Sequence, residues 1–286
     1  MVGAFLTASF AATPSQVSTL QAATSHNIPM ELPHLGSAST CGVIVSAWAT
    51  NHEELSLLRS LMPARCRITV YDKGPGEQCA VSTIPSPMAC VAADNLGNDW
   101  NPAYLTHVIA NYDTLPDVLI ALPSGYATHN RFTFLSSACR GLGATSDDDH
   151  FCCVRFRSIP RGGYYSERVA AHPLIHAYNT LSEFVNVTGP PRALPAVNNV
   201  SSFGAWMQKH LAIEPNDARL RSTHACHYSL FGASAGALRA RPRELYAQLL
   251  ALYTPSNGVP NDAYYTEWAQ ELIFGATSFL SMPKTK

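Results

Sequence analysis

The chain reads as an α/β protein with a mixed, largely parallel sheet flanked by helices, and three observations predict it. Segments 41–49 (CGVIVSAWA), 67–71 (RITVY) and 118–122 (VLIAL) are short apolar runs, as expected of strands buried on both faces. Between them lie stretches whose apolar residues recur at helical spacing. Polar residues then collect where the strands stop, at 46–51, 72–74, 94–99 and 124–130. In open α/β sheets that carboxyl edge is where ligands bind.

Composition narrows the class. The chain has 286 residues, 47% apolar and 14% charged, with a formal net charge of −1. That length suffices for one large core, and we read 39–286 as a single domain behind a leader, 1–38, rich in Ala, Ser, Thr and Pro. Near-neutral charge gives no general field for nucleic acid or an anionic membrane. No run approaches the roughly 18 apolar residues of a membrane span. The basic cluster Arg239, Arg241 and Arg243 is expected to be a solvated helix face.

The eight cysteines are scattered and form no CxxC pair, which argues against a zinc knuckle. Disulfides and reduced buried thiols both fit that pattern. The acceptor triplets at Asn186 and Asn199, and a short apolar stretch at 2–12, tilt the expectation toward the secretory pathway.

In chain order, strand 41–49 leads to a helix over 52–62, capped by Asn51 and carrying Leu55, Leu58, Leu61 and Met62. Strand 67–71 follows, and Asp72-Lys73-Gly74 turns at its end. This β-α-β unit places two parallel strands in one sheet. A short strand at 89–93 delivers Asp94. A helix then begins at Asn101, read as an N-cap before Pro102, with Leu105, Val108, Ile109 and Tyr112 on its buried stripe. Pro116 ends it, and strand 118–122 follows.

Further on, 132–142 is read as helical, 150–157 as strand, and 174–185 as a helix within a loop-rich middle. The last third carries a helix at 202–211, a strand at 227–233, a helix at 241–253 with Leu245, Leu249 and Leu252 on one face, and a final helix at 262–274 capped by Asp262.

Several of these residues form a pattern. Tyr71, Lys73 and Gly74 match a Tyr-x-Lys-Gly segment, and Asn95 and Gly97 part of an Asn-x-Gly-Arg-Glu element. Tyr104, Leu105, Val108, Ile109, Asn111, Tyr112, Leu115, Pro116 and Asp117 match a Tyr-Leu-x-x-Ile-Ile-x-Asn-Tyr-x-x-Leu-Pro-Asp helix, and His129 a late histidine. Phe231, Ser234, Arg241, Pro242, Tyr246, Glu267, Ile273, Phe274 and Gly275 complete the pattern, while Asn98-Asp99 and Gln270 replace an Arg-Glu pair and a Trp. In these respects, over roughly 40–275, the chain resembles a family of uncharacterised fungal, algal and bacterial proteins. That family is a domain of unknown function distantly related to nucleotide-sugar glycosyltransferases. The resemblance implies a nucleotide-diphospho-sugar transferase (GT-A-like) fold and transfer of a sugar from a nucleotide-sugar donor to an unknown acceptor.

Such transfer needs the leaving diphosphate neutralised and, with inversion, a carboxylate to take the acceptor's proton. Glu267, read as lying near the start of the last helix where the dipole favours a carboxylate, is the candidate general base. Asp99 and His129 are further catalytic candidates and the metal-ligand candidates, and hard oxygen ligands allow Mn²⁺ or Mg²⁺ as cofactor. Asn51, Asp72, Lys73, Asn95, Gly97 and Ser124 line the expected donor edge. A turn or cap explains Asp72 and Asp99 equally well. No Asp-x-Asp follows the central strand. Asp147 and Asp149 have that spacing but precede a strand, and we read them as solvated loop. His224, Cys226 and His227 alternate faces of a strand and are a poor metal set.

Another class competes. Gly232-Ala233-Ser234-Ala235-Gly236 fits the nucleophile-elbow pattern of a serine hydrolase. All eleven histidines precede Ser234, so His129, His224 or His227 would have to serve as an out-of-order base. Tight packing of a helix on a strand explains the run without chemistry. A catalytically silent sugar- or nucleotide-binding module, and transfer of another activated group, complete the alternatives.

Overall fold

A computed structural model describes residues 40–48, 52–75, 79–80, 84–85, 87–96, 100–124, 139, 142, 151–155, 173–175, 178, 183–184, 192–193, 202–253 and 261–275. The leader at 1–38, the helix expected at 132–142 and the aspartate run at 147–149 lie outside them.

Six strands form one mixed sheet. They are β1 (Cys41–Ala47), β2 (Cys66–Asp72), β3 (Ala89–Ala92), β4 (Val118–Pro123), β5 (Phe151–Arg155) and β8 (Cys226–Ser234), in the order β3-β2-β1-β4-β8-β5. β3, β2, β1 and β4 pair in parallel; β8 runs antiparallel to both β4 and β5. The α/β class is as expected. A small separate hairpin joins β6 (Glu183–Phe184) to β7 (Arg192–Ala193). Leu174, Ile175 and Tyr178 are helical, but Glu183 and Phe184 pair as strand, so no helix runs through 174–185.

Helices cover both faces. α1 (His52–Leu61) sends Leu55 and Leu58 to one face, packed with Val43, Val45, Ile68, Val70, Ile120 and Leu122. α2 (Asn101–Ala110) packs on the other, with Ile44, Tyr71, Leu119, Ala121 and Phe231. That second face also carries α3 (Phe203–Leu211), α4 (Arg219–Ser222), α5 (Ala235–Arg239), α6 (Arg243–Leu250), α7 (Asn261–Trp268) and α8 (Gln270–Phe274). Phe203, Trp206, Tyr265 and Trp268 form an aromatic cluster between α3 and α7. Ser202 caps α3 through Ala205 N–H at 3.1 Å.

The most specific part of the resemblance has a structural job. Asn111 Nδ2 donates to His107 O at the end of α2, and Tyr112 OH donates to the carbonyls of Arg239 and Arg241. Asp117 Oδ2 accepts from the N–H and hydroxyl of Thr40, fastening the starts of β1 and β4. These ties lie at the amino edge of the parallel strands. Arg241 is buried, not solvated: its guanidinium donates to Leu272 O and Gly275 O, closing the end of α8, while Arg239 and Arg243 are exposed. Burial lowers the Arg241 pKa to about 10, which leaves it charged at neutral pH.

Four disulfides pair all eight cysteines: Cys41 with Cys66, Cys79 with Cys90, Cys139 with Cys152, and Cys153 with Cys226. Cys226 is therefore closed to metal binding. Among the described residues no helix is long and apolar enough to cross a membrane.

Candidate functional site

The strand order reverses beside β1. The chain moves outward from β1 to β2 and β3, then crosses back to place β4 on the other side of β1. α1 leaves β1 over one face and α2 enters β4 over the other, so the carboxyl ends of β1 and β4 flank a topological switch point. That crevice is where sheets of this kind hold ligands.

Register places the residues there. Ser46 pairs with Tyr71 on one side and Pro123 on the other. β8 runs antiparallel to β4, so Ser229, on the Cys226 side of the Phe231–Ala121 pair, lies toward the carboxyl end of β4. Tyr71, Ser46 and Pro123 thus share a rung at the carboxyl edge, and strand alternation puts them on the α2 face. Ser46 is fully buried, and its Oγ has no hydrogen-bond partner among the described residues. Tyr71 OH meets His107 Nδ1 of α2 at 3.1 Å. Burial pushes the phenol up to about 12 and the imidazole down to about 4, so His107 is neutral at pH 7.

Above this rung the chain folds over the edge. Lys73 N–H donates to Ala47 O, and Ser124 N–H to Ser46 O. Asp72 is buried, and its carboxylate accepts from Gly74 N–H and Cys79 N–H, both at 3.0 Å. It shapes the turn after β2, the role its position also allowed. Gly74 is required there because a Cβ would lie 2.7 Å from Trp48 O. Lys73 is buried against the same edge. Trp48, at the exit of β1, is 42% exposed. The sequence hides it, since it sits inside an apolar run that reads as strand interior.

Glu267 reaches this edge from α7. It is only 5% exposed, and its Oε2 accepts from Ser229 Oγ at 3.3 Å. Glu267 is the seventh residue of Asn261–Trp268, in the last turn rather than the first, because the expected single helix is interrupted at Ala269. The helix-start dipole therefore does not act on it, and Ser229 supplies a donor.

Asn101 is not the N-cap of α2. Trp100 stands at the N-cap position without a side-chain cap, while Asn101 is fully buried and accepts from Gln270 Nε2. Asn95, in the segment after β3, is half-buried, and its Oδ1 has no partner among the described residues. Asp72, Lys73, Asn95, Ser124 and Glu267 therefore share the carboxyl edge. Asn51, Gly97, Asp99 and His129 lie outside the described residues. Nothing in the sequence pointed to Ser229.

Ser234 sits at the opposite edge. It pairs with Val118, the first residue of β4, and its Oγ accepts from Ala237 N–H at 3.1 Å as the N-cap of α5. A Cβ on Gly232 would lie 2.5 Å from Leu142, so the glycine admits the packing around the Cys139–Cys152 disulfide. Among the described residues no three side chains gather as a metal site. No family model matches the chain, and no curated protein or solved structure matches it either.

Proposed function

We propose that the chain is a glycosyltransferase-like enzyme of the nucleotide-diphospho-sugar transferase type, related to the family it resembles, with the donor over the carboxyl edge at β1 and β4. The carrying observation is the buried Glu267, held by Ser229 of β8, the strand next to β4 at whose other side the sheet order reverses. Lys73 and Trp48 support it from the same edge. An ammonium suits the diphosphate, and an exposed indole offers a face to a ring.

In this reading Glu267 takes the proton of an acceptor hydroxyl as that oxygen bonds to the anomeric carbon. The bond from that carbon to the diphosphate oxygen breaks, and its electron pair leaves with the nucleoside diphosphate. Lys73 meets the charge that develops on the leaving group. A divalent cation, Mn²⁺ or Mg²⁺, would add to that neutralisation, with Asp99 and His129 as its proposed ligands. Asp72 serves the turn after β2, each of its oxygens accepting a backbone N–H group. The complete pairing of cysteines favours an oxidising compartment, the secretory pathway or beyond it.

The test is release of nucleoside diphosphate from a panel of nucleotide sugars, with Mn²⁺, Mg²⁺ or EDTA, by the native chain and by Glu267→Gln. One donor is expected to turn over in the native chain, with a fall of about 100-fold or more in the variant. Binding without turnover would point to the silent module. Equal turnover in the two proteins would remove Glu267 from the chemistry.

A further inference from the structure

We infer that Ser229 is the positioning residue of Glu267, its hydroxyl held in place by a left-handed backbone turn inside β8. This rests on the reading of Glu267 as general base and extends it to the residue that aims the carboxylate.

Three observations converge on Ser229. Its φ is +50°, in the region where L-residues with a Cβ are disfavoured, although it lies within the nine-residue strand Cys226–Ser234. Pairing is disturbed at the same place, since the ladder with β5 shifts register between Cys153 and Arg155. Such irregularities in strands re-aim side chains. Ser229 is also fully buried, and its Oγ donates to Glu267 Oε2 at 3.3 Å.

Glycine would adopt this backbone conformation without steric penalty. The turn alone therefore gives no reason for a side chain, whereas the carboxylate does. Glu267 stands in the last turn of α7, and the Ser229 hydroxyl points a donor at it from the sheet. A backbone outlier joined to a buried carboxylate, on the strand next to β4, is strain placed where a reacting group must be aimed.

The test measures Glu267 itself and stands whether or not any nucleotide sugar turns over. The full-length oxidised protein and its Ser229→Gly and Ser229→Ala variants are labelled with a water-soluble carbodiimide and glycine ethyl ester, and modified carboxyls are quantified by peptide mass spectrometry. Both variants are expected to label Glu267 about tenfold faster than the native chain. Exposed Glu244 and buried Asp72, which is held by its own backbone donors, should keep their native rates. In Ser229→Gly the relief of the backbone offsets part of the cost of losing the donor to Glu267, and a native labelling rate at Asp72 in that variant shows that faster labelling of Glu267 does not come from loosening of the fold. Should Ser229→Ala not fold, Ser229→Gly decides alone. Unchanged Glu267 labelling in Ser229→Gly would overturn the inference. So would a rise shared equally by Asp72, which would make Ser229 a packing residue.

Discussion

Gln270 donates its side-chain N–H to Asn101 Oδ1 at 3.0 Å, joining two residues 169 apart in the chain, and neither side chain reaches solvent. The bond ties the first residue of α2 to the first of α8, fixing the start of one helix beneath the carboxyl edge to the helix that follows Glu267. Gln270 Oε1 has no partner among the described residues. Burying Gln270 therefore carries a desolvation cost that its bond to Asn101 only partly offsets.

Gln270→Leu should destabilise the chain by about 1–2 kcal/mol in urea unfolding, because Asn101 loses a buried donor. In an Asn101→Leu background the same change should cost little. That difference is the coupling a double-mutant cycle measures.

His107 makes stability depend on pH. Its pKa is about 4 in the fold against an ordinary 6.5, so between those values the unfolded chain binds the proton more readily. The contribution is complete above pH 6.5 and is lost as pH falls toward 4, up to about 3 kcal/mol. His107→Gln keeps an acceptor for Tyr71 and cannot titrate. It should flatten the slope between pH 6.5 and 5 in urea unfolding, and an unchanged slope would assign that dependence to other groups.

The four disulfides predict that the unreduced protein weighs about 8 Da less than its reduced form. The Cys153–Cys226 bridge joins residues 73 apart, the longest separation of the four, and its removal by paired Ala substitution should cost most, about 4 kcal/mol. Free thiols in the native protein would contradict the pairing.

Ser234→Ala removes the N-cap of α5 and should cost about 1 kcal/mol of stability. Under the reading proposed here, turnover of any donor stays at the native level. An ester-hydrolysing activity that disappears in this variant would instead restore the serine-hydrolase alternative.

Local signals explain which elements were legible. Strands β1, β2 and β4 are buried on both faces and so read as apolar runs, and the switch at β1 follows from alternating strands and helices. What failed was long-range or conformational. Asn101 before Pro102 looks like a cap, and only the partner 169 residues away turns it inward. Arg241 looked solvated because its carbonyl partners, Leu272 and Gly275, lie about thirty residues on. Glu267 does not occupy the helix start that its place in the sequence suggests, and the residue that donates to it, a left-handed serine in a strand, leaves no trace in composition or spacing.

The most direct test of the donor site is a thermal-shift series of the oxidised protein with nucleotides and nucleotide sugars, with and without Mn²⁺, repeated on Lys73→Met and Trp48→Ala. A ligand at a hundred times its dissociation constant adds about 2.7 kcal/mol to the folded state, which is about 5 °C for a chain of this size. The expected result is a shift with one nucleotide class that shrinks in both variants, each compared with its own ligand-free melting temperature. No shift with any nucleotide, or a full shift in both variants, would contradict a donor site at the carboxyl edge of β1 and β4.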